Sequence, residues 1–484
     1  MSEIKRVFLI GVDSLIYKRT SMGGAKLNVC PTLKRLSDEG INCSNNYSHS
    51  GPTQFSLPSV FTSSLPLDYN GYDKGIIDRP NSLVEILRQE GFETFGTLSN
   101  TWTSELGGYD RGFDSTTDGY SIDTVWASAS IYINYFNERL SNGDISLNER
   151  DRLVLNHVEK LLAHTRVYCE KVIHESGQFN NDEKFIDIYK YNFKNILQLI
   201  PERIATAAHA EEILANLIGL YGLPKRLQPL FHKNFASADW MFDSILARLD
   251  QSQAEKTMSF TFLEDPHELN TCRGHGSYLR ANANSLLASI PSSERYRRIY
   301  KYFDSTYRDV SSSILYDASV KYVDDSLERF IEGLKIRSIL DESLIIIFSD
   351  HGTSFNNSFN PASFEEDYLN VPMIFWSSHM KPKNIHTLTS LMDLAPTTLE
   401  LLNIEIPETY RGIPVIDSGI SSRGYIIHEN AGRGPCDIPN KKLYVGLRDQ
   451  NSVLWMAENN EINHSFKKII ADREVYLKEF SGER

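Results

Sequence analysis

The stretch "SLIIIFSDHG", residues 343–352, sets the tightest limit on how this chain folds. Leu344 to Phe348 are apolar without alternation, so both faces of the strand they form must be covered, as in a parallel sheet flanked by helices. The run stops at Ser349, Asp350, His351 and Gly352, which sets an acid and an imidazole on a glycine turn at a strand's carboxyl end. In open α/β sheets that edge is where ligands bind. Two more runs end in the same manner: "RVFLIGVD" on Asp13, and "KTMSFTFLEDPH" on Asp265 and His267.

Helical patterns alternate with these runs. "PTLKRLSDEG" reads as a helix with Pro31 at its start and Gly40 at its end, and "NSLVEILRQEG" precedes the strand-like "FETFGTLSN". "VPMIFWSS" and "LTSLMDLAPTTLELLNI" continue the alternation. The expectation is an α/β core, a mostly parallel central sheet between helices, over residues 1–124 and 246–422. Residues 125–245 read as an all-helical insertion, in which Phe185, Tyr189, Phe193, Ile196 and Ile200 share one helix face. Core packing explains that stripe. The insertion could serve as a lid, a substrate platform or the contact of a homo-oligomer. Over 423–484, "YIIHENAG", "KLYVGLRD" and "SVLWMAEN" read as a small antiparallel sheet, the last two strands joined at Gln450 and Asn451.

Composition removes some function classes. With 50 Lys and Arg against 63 Asp and Glu, the formal charge is −13, so there is no overall electrostatic footprint for nucleic acid or anionic lipid. No apolar stretch approaches the roughly 20 residues of a membrane helix, which predicts a soluble chain with no integral membrane segment. Cys30, Cys43, Cys169, Cys272 and Cys436 form no CxxC pair, and their odd number fits a reducing compartment, with cytoplasm the expectation.

Carboxylates and imidazoles gathered at neighbouring strand tips suit a divalent cation, because hard oxygen and borderline nitrogen ligands together bind Zn, Mn or Mg. Any one of these residues has a plainer account, since Asp before a turn bonds the turn backbone. Their set carries the argument.

In order along the chain, "RVFLIGVDS", "PTLKRLSDEGI", "GPTQFSLPSVFTSSLP", "IIIFSDHG", "VPMIFWSS" and "LMDLAPTTLELLNI" resemble the alkaline phosphatase superfamily, specifically its sulfatase-like branch. The resemblance covers roughly residues 5–120 and 255–460. It implies a large α/β domain with a central sheet between helices and a smaller C-terminal antiparallel sheet. It also implies a nucleophile nine residues before Thr62, which is Thr53.

Sulfatases of that family carry a Cys or Ser there, converted to formylglycine, with Pro two residues on and Arg four on. This chain has Thr53, Phe55 and Leu57 at those places, and a threonine cannot become formylglycine. A second register puts Ser56 two residues before Pro58, but Val60 then takes the Arg place and the spacing to Thr62 is three residues short. Pro58 is best tolerated in a first turn, so the helix is expected to start near Ser56 with Thr53 at its mouth. Two further departures weaken sulfate-ester hydrolysis: Ser14 replaces a second acid, and no lysine follows the "DHG" segment.

A threonine at this place is similar to the phosphotransferases and phosphodiesterases of the superfamily, including lipoteichoic-acid synthase-like and phosphoethanolamine transferase-like enzymes. The resemblance then implies one metal site of Asp13, Thr53, Asp350 and His351, holding a divalent ion (Mn, Zn, Mg or Ca) with room left open for a second. It makes His267 the proton donor to the leaving oxygen. Asp265 becomes a second ligand or an orienter of its turn, and Arg273, His275 and His428 become weaker candidates for the substrate anion. The implied substrate is a small-molecule or glycan-linked phosphate ester, on cell-surface glycans by analogy. Two other readings stay open: a sulfatase working through Ser56 or an unmodified threonine, and an idle family member used as a binding module.

Overall fold

The computed structural model describes residues 4–458 except 26–27, 70, 72–74, 100–102, 104–106, 119–132, 135, 176–193, 202, 220–236, 268–311, 355–363, 417–422, 432–442 and 452. In chain order the strands are β1 (Arg6–Val12), β2 (Ile41–Cys43), β3 (Asn46–Tyr47), β4 (Glu93–Leu98), β5 (Ser115–Asp118), β6 (Thr257–Leu263), β7 (Ser343–Phe348), β8 (Met373–Trp376), β9 (Lys383–Ile385), β10 (Thr389–Ser390), β11 (Ile426–Ala431), β12 (Leu443–Arg448) and β13 (Val453–Glu458). Among the described residues, eight of them form one sheet in the order β5-β4-β6-β1-β7-β8-β2-β9.

The unbroken apolar character of the central strands has a direct structural cause. Along β1, Val7 and Leu9 enter one buried cluster while Phe8, Ile10 and Val12 enter the other. Leu344, Ile346 and Phe348 of β7 join the first cluster, and Ile345 and Ile347 the second. Neither face can therefore be polar. Each such side chain contributes about 1.5–3 kcal/mol by leaving water.

One face is covered by α6 (Ala238–Gln251) and α7 (Ser312–Ile336), which follow α1 (Pro31–Glu39), α2 (Thr53–Thr62), α3 (Leu83–Gln89), α4 (Leu147–Glu175) and α5 (Ala207–Gly219) in the chain. Phe330 of α7 meets Phe8 edge-on at 5.2 Å and stacks on Phe242 of α6 at 4.7 Å. The opposite face receives Leu57, Val60 and Phe61 from α2, Leu83, Val84 and Leu87 from α3, and Leu394 and Leu399 from α8 (Leu394–Leu401). Gly11 is where both phenyl flanks close in, since a Cβ there would collide with the Phe262 and Phe348 rings. The strand gives up a side chain and the sheet gains two close-packed aromatics.

Strand direction was less legible than strand position. β1 is parallel to β6 and β7, and β4 is parallel to β5 and β6. β8 is antiparallel to both of its neighbours, β7 and β2. The expected C-terminal sheet is present as β11-β12-β13, antiparallel throughout.

Helix α6 runs across the expected boundary at 245. It packs on α7 with Ala238, Met241, Phe242 and Ile245 buried, so the chain is back in the core layer by Ala238. In the insertion, α4 and α5 bury Val154, Val158, Leu161, Ala210, Ile213 and Leu214 in the same cluster as Ile196 and Ile200. Phe185, Tyr189 and Phe193 of the aromatic stripe lie outside the described residues. Among the described residues no helix is long and apolar enough to cross a membrane.

Candidate metal centre and nucleophile

Three neighbouring parallel strands, β6, β1 and β7, end at one edge of the sheet, and each delivers polar residues there. The registers pair Val12 with Leu263 and Gly11 with Phe348, and Asp13 N donates to Leu263 O at 2.8 Å. Asp13 and Asp350 thus emerge side by side because their strands are hydrogen-bonded neighbours. Both are fully buried, and His351 is only 6% exposed.

One ligand atom from each of Asp13, Asp350 and His351 lies within 4.8 Å of the others. His351 Nε2 is 3.4 Å from Asp350 Oδ2 and 3.7 Å from Asp13 Oδ1. Its Nδ1 is 2.6 Å from Gly352 O, a contact that needs the proton on Nδ1 and turns Nε2 toward the carboxylates. Burial, and then the neighbouring Asp13, push the Asp350 carboxyl up to about 6. Asp350 Oδ2 makes no hydrogen bond among the described residues. Two carboxylates, an imidazole nitrogen and a buried oxygen with no donor form a set that fits a divalent cation.

Thr53 completes the group. Its Oγ1 is 3.1 Å from His351 Nε2 and donates to Asp13 Oδ2 at 3.4 Å. Here the sequence expectation needs correction, because α2 starts at Thr53, three residues before Ser56, and Pro58 lies inside it. The extended Pro52 caps the helix, and its carbonyl accepts from Phe55 N and Ser56 N, closing the first turn ahead of Pro58. Thr53 therefore stands in the first turn itself, where the aligned peptide dipoles favour an anion. Ser56 is turned away, with its Oγ donating to Pro52 O at 2.8 Å.

The remaining candidates separate. Asp265 is buried in the turn after β6, which His267 N closes on Glu264 O at 3.0 Å. His267 is exposed, and its ring centroid is 6.4 Å from that of His351, at the mouth of the site. His428 instead lies fully buried on β11, with Nδ1 2.9 Å from Ser48 O and its ring stacked on Phe364 at 5.6 Å. Arg273 and His275 lie outside the described residues.

Two hydroxyls that the sequence did not single out also reach this edge. Ser349 Oγ bonds Leu15 N and His351 O, and Tyr316 Oη bonds Ile16 N and Ser14 O. Ser349 stands openly beside the ligand pair, but nothing in the sequence reports its partners. Tyr316 comes from a helix about 300 residues away and gives no local signal.

Among curated proteins, the chain is 28% identical over 140 residues to the uncharacterized sulfatase YdeN of Escherichia coli, covering 27% of this chain and 24% of that protein. The chain thus matches about a quarter of that relative's length. Among solved structures, a 2-O GAG sulfatase superposes with a TM-score of 0.56 at 14% identity, covering 99% of this chain and 92% of the other. The lipoteichoic acid synthase LtaP of Listeria monocytogenes superposes with a TM-score of 0.51 at 15% identity, covering 96% and 89%. At such identities the superpositions speak for the fold. The Sulfatase family pattern matches residues 5–404, most of the chain and all of the sheet edge just described, and the chain belongs to the sulfatase family.

Proposed function

We propose that this protein is a metal-dependent phosphotransferase or phosphodiesterase that works through a covalent phosphothreonine on Thr53. The observation that carries the reading is the Thr53 hydroxyl in the first turn of α2, within 3.1 Å of His351 Nε2 and 3.4 Å of Asp13 Oδ2. Oxidation of a threonine side chain gives a ketone, so the aldehyde hydrate that formylglycine sulfatases use has no precursor here. An alcohol nucleophile suits a phosphodiester, whose phosphoryl group an alkoxide can take and then release.

Asp13, Asp350, His351 and Thr53 would hold the cation. When bound, a divalent ion supplies a Lewis acid that lowers the pKa of the hydroxyl and neutralises the substrate anion. Thr53 Oγ1 attacks phosphorus in line, and the bond from phosphorus to the leaving alcohol breaks. The Thr53 proton departs toward Asp13 Oδ2, which already accepts its hydrogen bond. His267, at the mouth, gives a proton to the leaving oxygen and later takes one from the incoming water or alcohol that frees Thr53.

The test is a trapping experiment with bis(p-nitrophenyl) phosphate. Intact mass and peptide mapping are expected to find the phosphoryl adduct on Thr53, and a chelator is expected to abolish turnover. An adduct on Ser56, or sulfate-ester turnover without phosphate-ester turnover, would overturn the reading.

A further inference from the structure

Two buried carboxylates repel each other, so a site with Asp13 and Asp350 side by side needs something other than the side chains to hold them in place. The turn after β1 is restrained unusually well. Ser14 adopts φ +62°, in the left-handed region that a non-glycine residue occupies only when its surroundings enforce it. Its N–H donates to Asp350 Oδ1 at 3.3 Å and its hydroxyl to Asp13 Oδ1 at 2.8 Å, so this one residue bonds both acids.

The enforcement comes from two further hydroxyls. Tyr316, fully buried on α7, accepts from Ile16 N at 2.8 Å and donates to Ser14 O at 2.9 Å. A phenol has one proton, so these bonds fix its orientation and staple the turn on both sides of Leu15. Ser349 Oγ accepts from Leu15 N at 2.8 Å and donates to His351 O at 2.7 Å, which ties the β1 turn to the β7 turn that carries Asp350 and His351.

We propose that Tyr316 and Ser349 are positioning residues for the metal centre: through the backbone of residues 14–16 and 351 they hold Asp13, Asp350 and His351 in the spacing a divalent ion requires. The proposal rests on reading these three residues as metal ligands. Neither hydroxyl belongs to the ligand set, and each acts through the chain that carries a ligand. Outer partners of this kind change metal affinity by about 10- to 100-fold when removed.

Equilibrium dialysis of the full chain against Mn²⁺ tests it, with urea unfolding to verify that each variant is folded. Tyr316→Phe and Ser349→Ala are expected to bind Mn²⁺ about 10- to 100-fold more weakly than the unaltered protein. Ser343→Ala is the control, because Ser343 is buried at the other end of β7 and its hydroxyl donates to Ile339 O at 2.7 Å. It is expected to keep full affinity. Unchanged Mn²⁺ affinity in both site variants overturns the positioning role and leaves the metal reading standing. An equal loss in Ser343→Ala also overturns it, by reducing the effect to general loosening. An unaltered protein that takes up neither Mn²⁺, Zn²⁺, Mg²⁺ nor Ca²⁺ overturns the metal reading and the positioning role together. Should Tyr316→Phe fail to fold, Ser349→Ala decides by the same readout.

Discussion

Thr53 differs from a serine by one methyl group, and that group bears on geometry as well as on chemistry. A β-branched side chain has fewer χ1 choices than an unbranched one, and in the α2 backbone the Oγ1 points toward Asp13 and His351. Thr53→Ser is therefore expected to keep phosphodiester turnover at a reduced kcat, with the adduct now on serine. Thr53→Ala is expected to lose about 10⁴-fold or more in kcat, the scale seen when a nucleophile is deleted. Steady-state kinetics and mass mapping check both. Full turnover in Thr53→Ala would remove this residue from the reaction. The same variant is expected to stay folded, since the Thr53 hydroxyl bonds only site residues among its described contacts.

At the scale of elements, α1 shows how helices are tied into this sheet. Its cap residue Cys30 makes no side-chain cap bond, and Asp324 of α7 accepts from Thr32 N at 3.0 Å and Leu33 N at 2.8 Å instead. Burial pushes the Asp324 carboxyl up to about 6, against the pull of those two N–H groups. Asp324→Ala strands two buried donors and is expected to cost about 2–4 kcal/mol of unfolding free energy, measured in urea. A loss below about 0.5 kcal/mol, the size of an ordinary surface change, would contradict this account of the cap. Pro31 and Gly40 had marked the ends of α1 in the sequence, but a cap supplied from nearly 300 residues away leaves no local trace. The same division holds elsewhere. β1, β6 and β7 were legible because strands buried on both faces are written as unbroken apolar runs, and their Asp and His termini were legible because those runs stop abruptly. Short strands such as β2 and β10 carry too few residues for a pattern, and the antiparallel direction of β8 depends on partners that the strand itself does not encode. α2 starts three residues ahead of the expected Ser56 because the carbonyl of Pro52 closes its first turn and leaves Pro58 inside the helix.

Across the whole molecule, the C-terminal sheet is sewn to the core along the segment that leads into Thr53. His49 Nδ1 bonds Ile427 O at 2.6 Å, His428 Nδ1 bonds Ser48 O at 2.9 Å, and Glu429 N donates to His49 O at 2.8 Å. Both imidazoles are fully buried and neutral. Burial lowers His49 to about 3 against the pull of its bond to the Ile427 carbonyl, with Arg423 lowering it further; burial, Arg448 and His49 lower His428. A histidine lowered in the folded state stabilises nothing extra above its unfolded value near 6.5, and below it the unfolded chain takes up a proton that the fold refuses. Stability is therefore lost from His49 as pH falls from about 6.5 toward 3, at about 1.4 kcal/mol per pH unit. Asp324 and Asp350, both raised to about 6, work in the opposite direction, so the histidine is read from a difference. The gap in unfolding free energy between the unaltered protein and His49→Asn is expected to shift in favour of the variant by about 1.4 kcal/mol per unit between pH 6 and 4. A gap that does not move with pH would mean that this ring is not a neutral buried group.

The central position of β1 has a consequence for synthesis on the ribosome. β1 is made well before both of its neighbours, and Ser14 and Asp350 are 336 residues apart. At roughly 5–20 residues per second, the strand waits on the order of tens of seconds for β7. For most of that interval, until β6 is made, a strand destined to be buried on both faces has neither sheet partner, and no fragment released before β7 can assemble the ligand set.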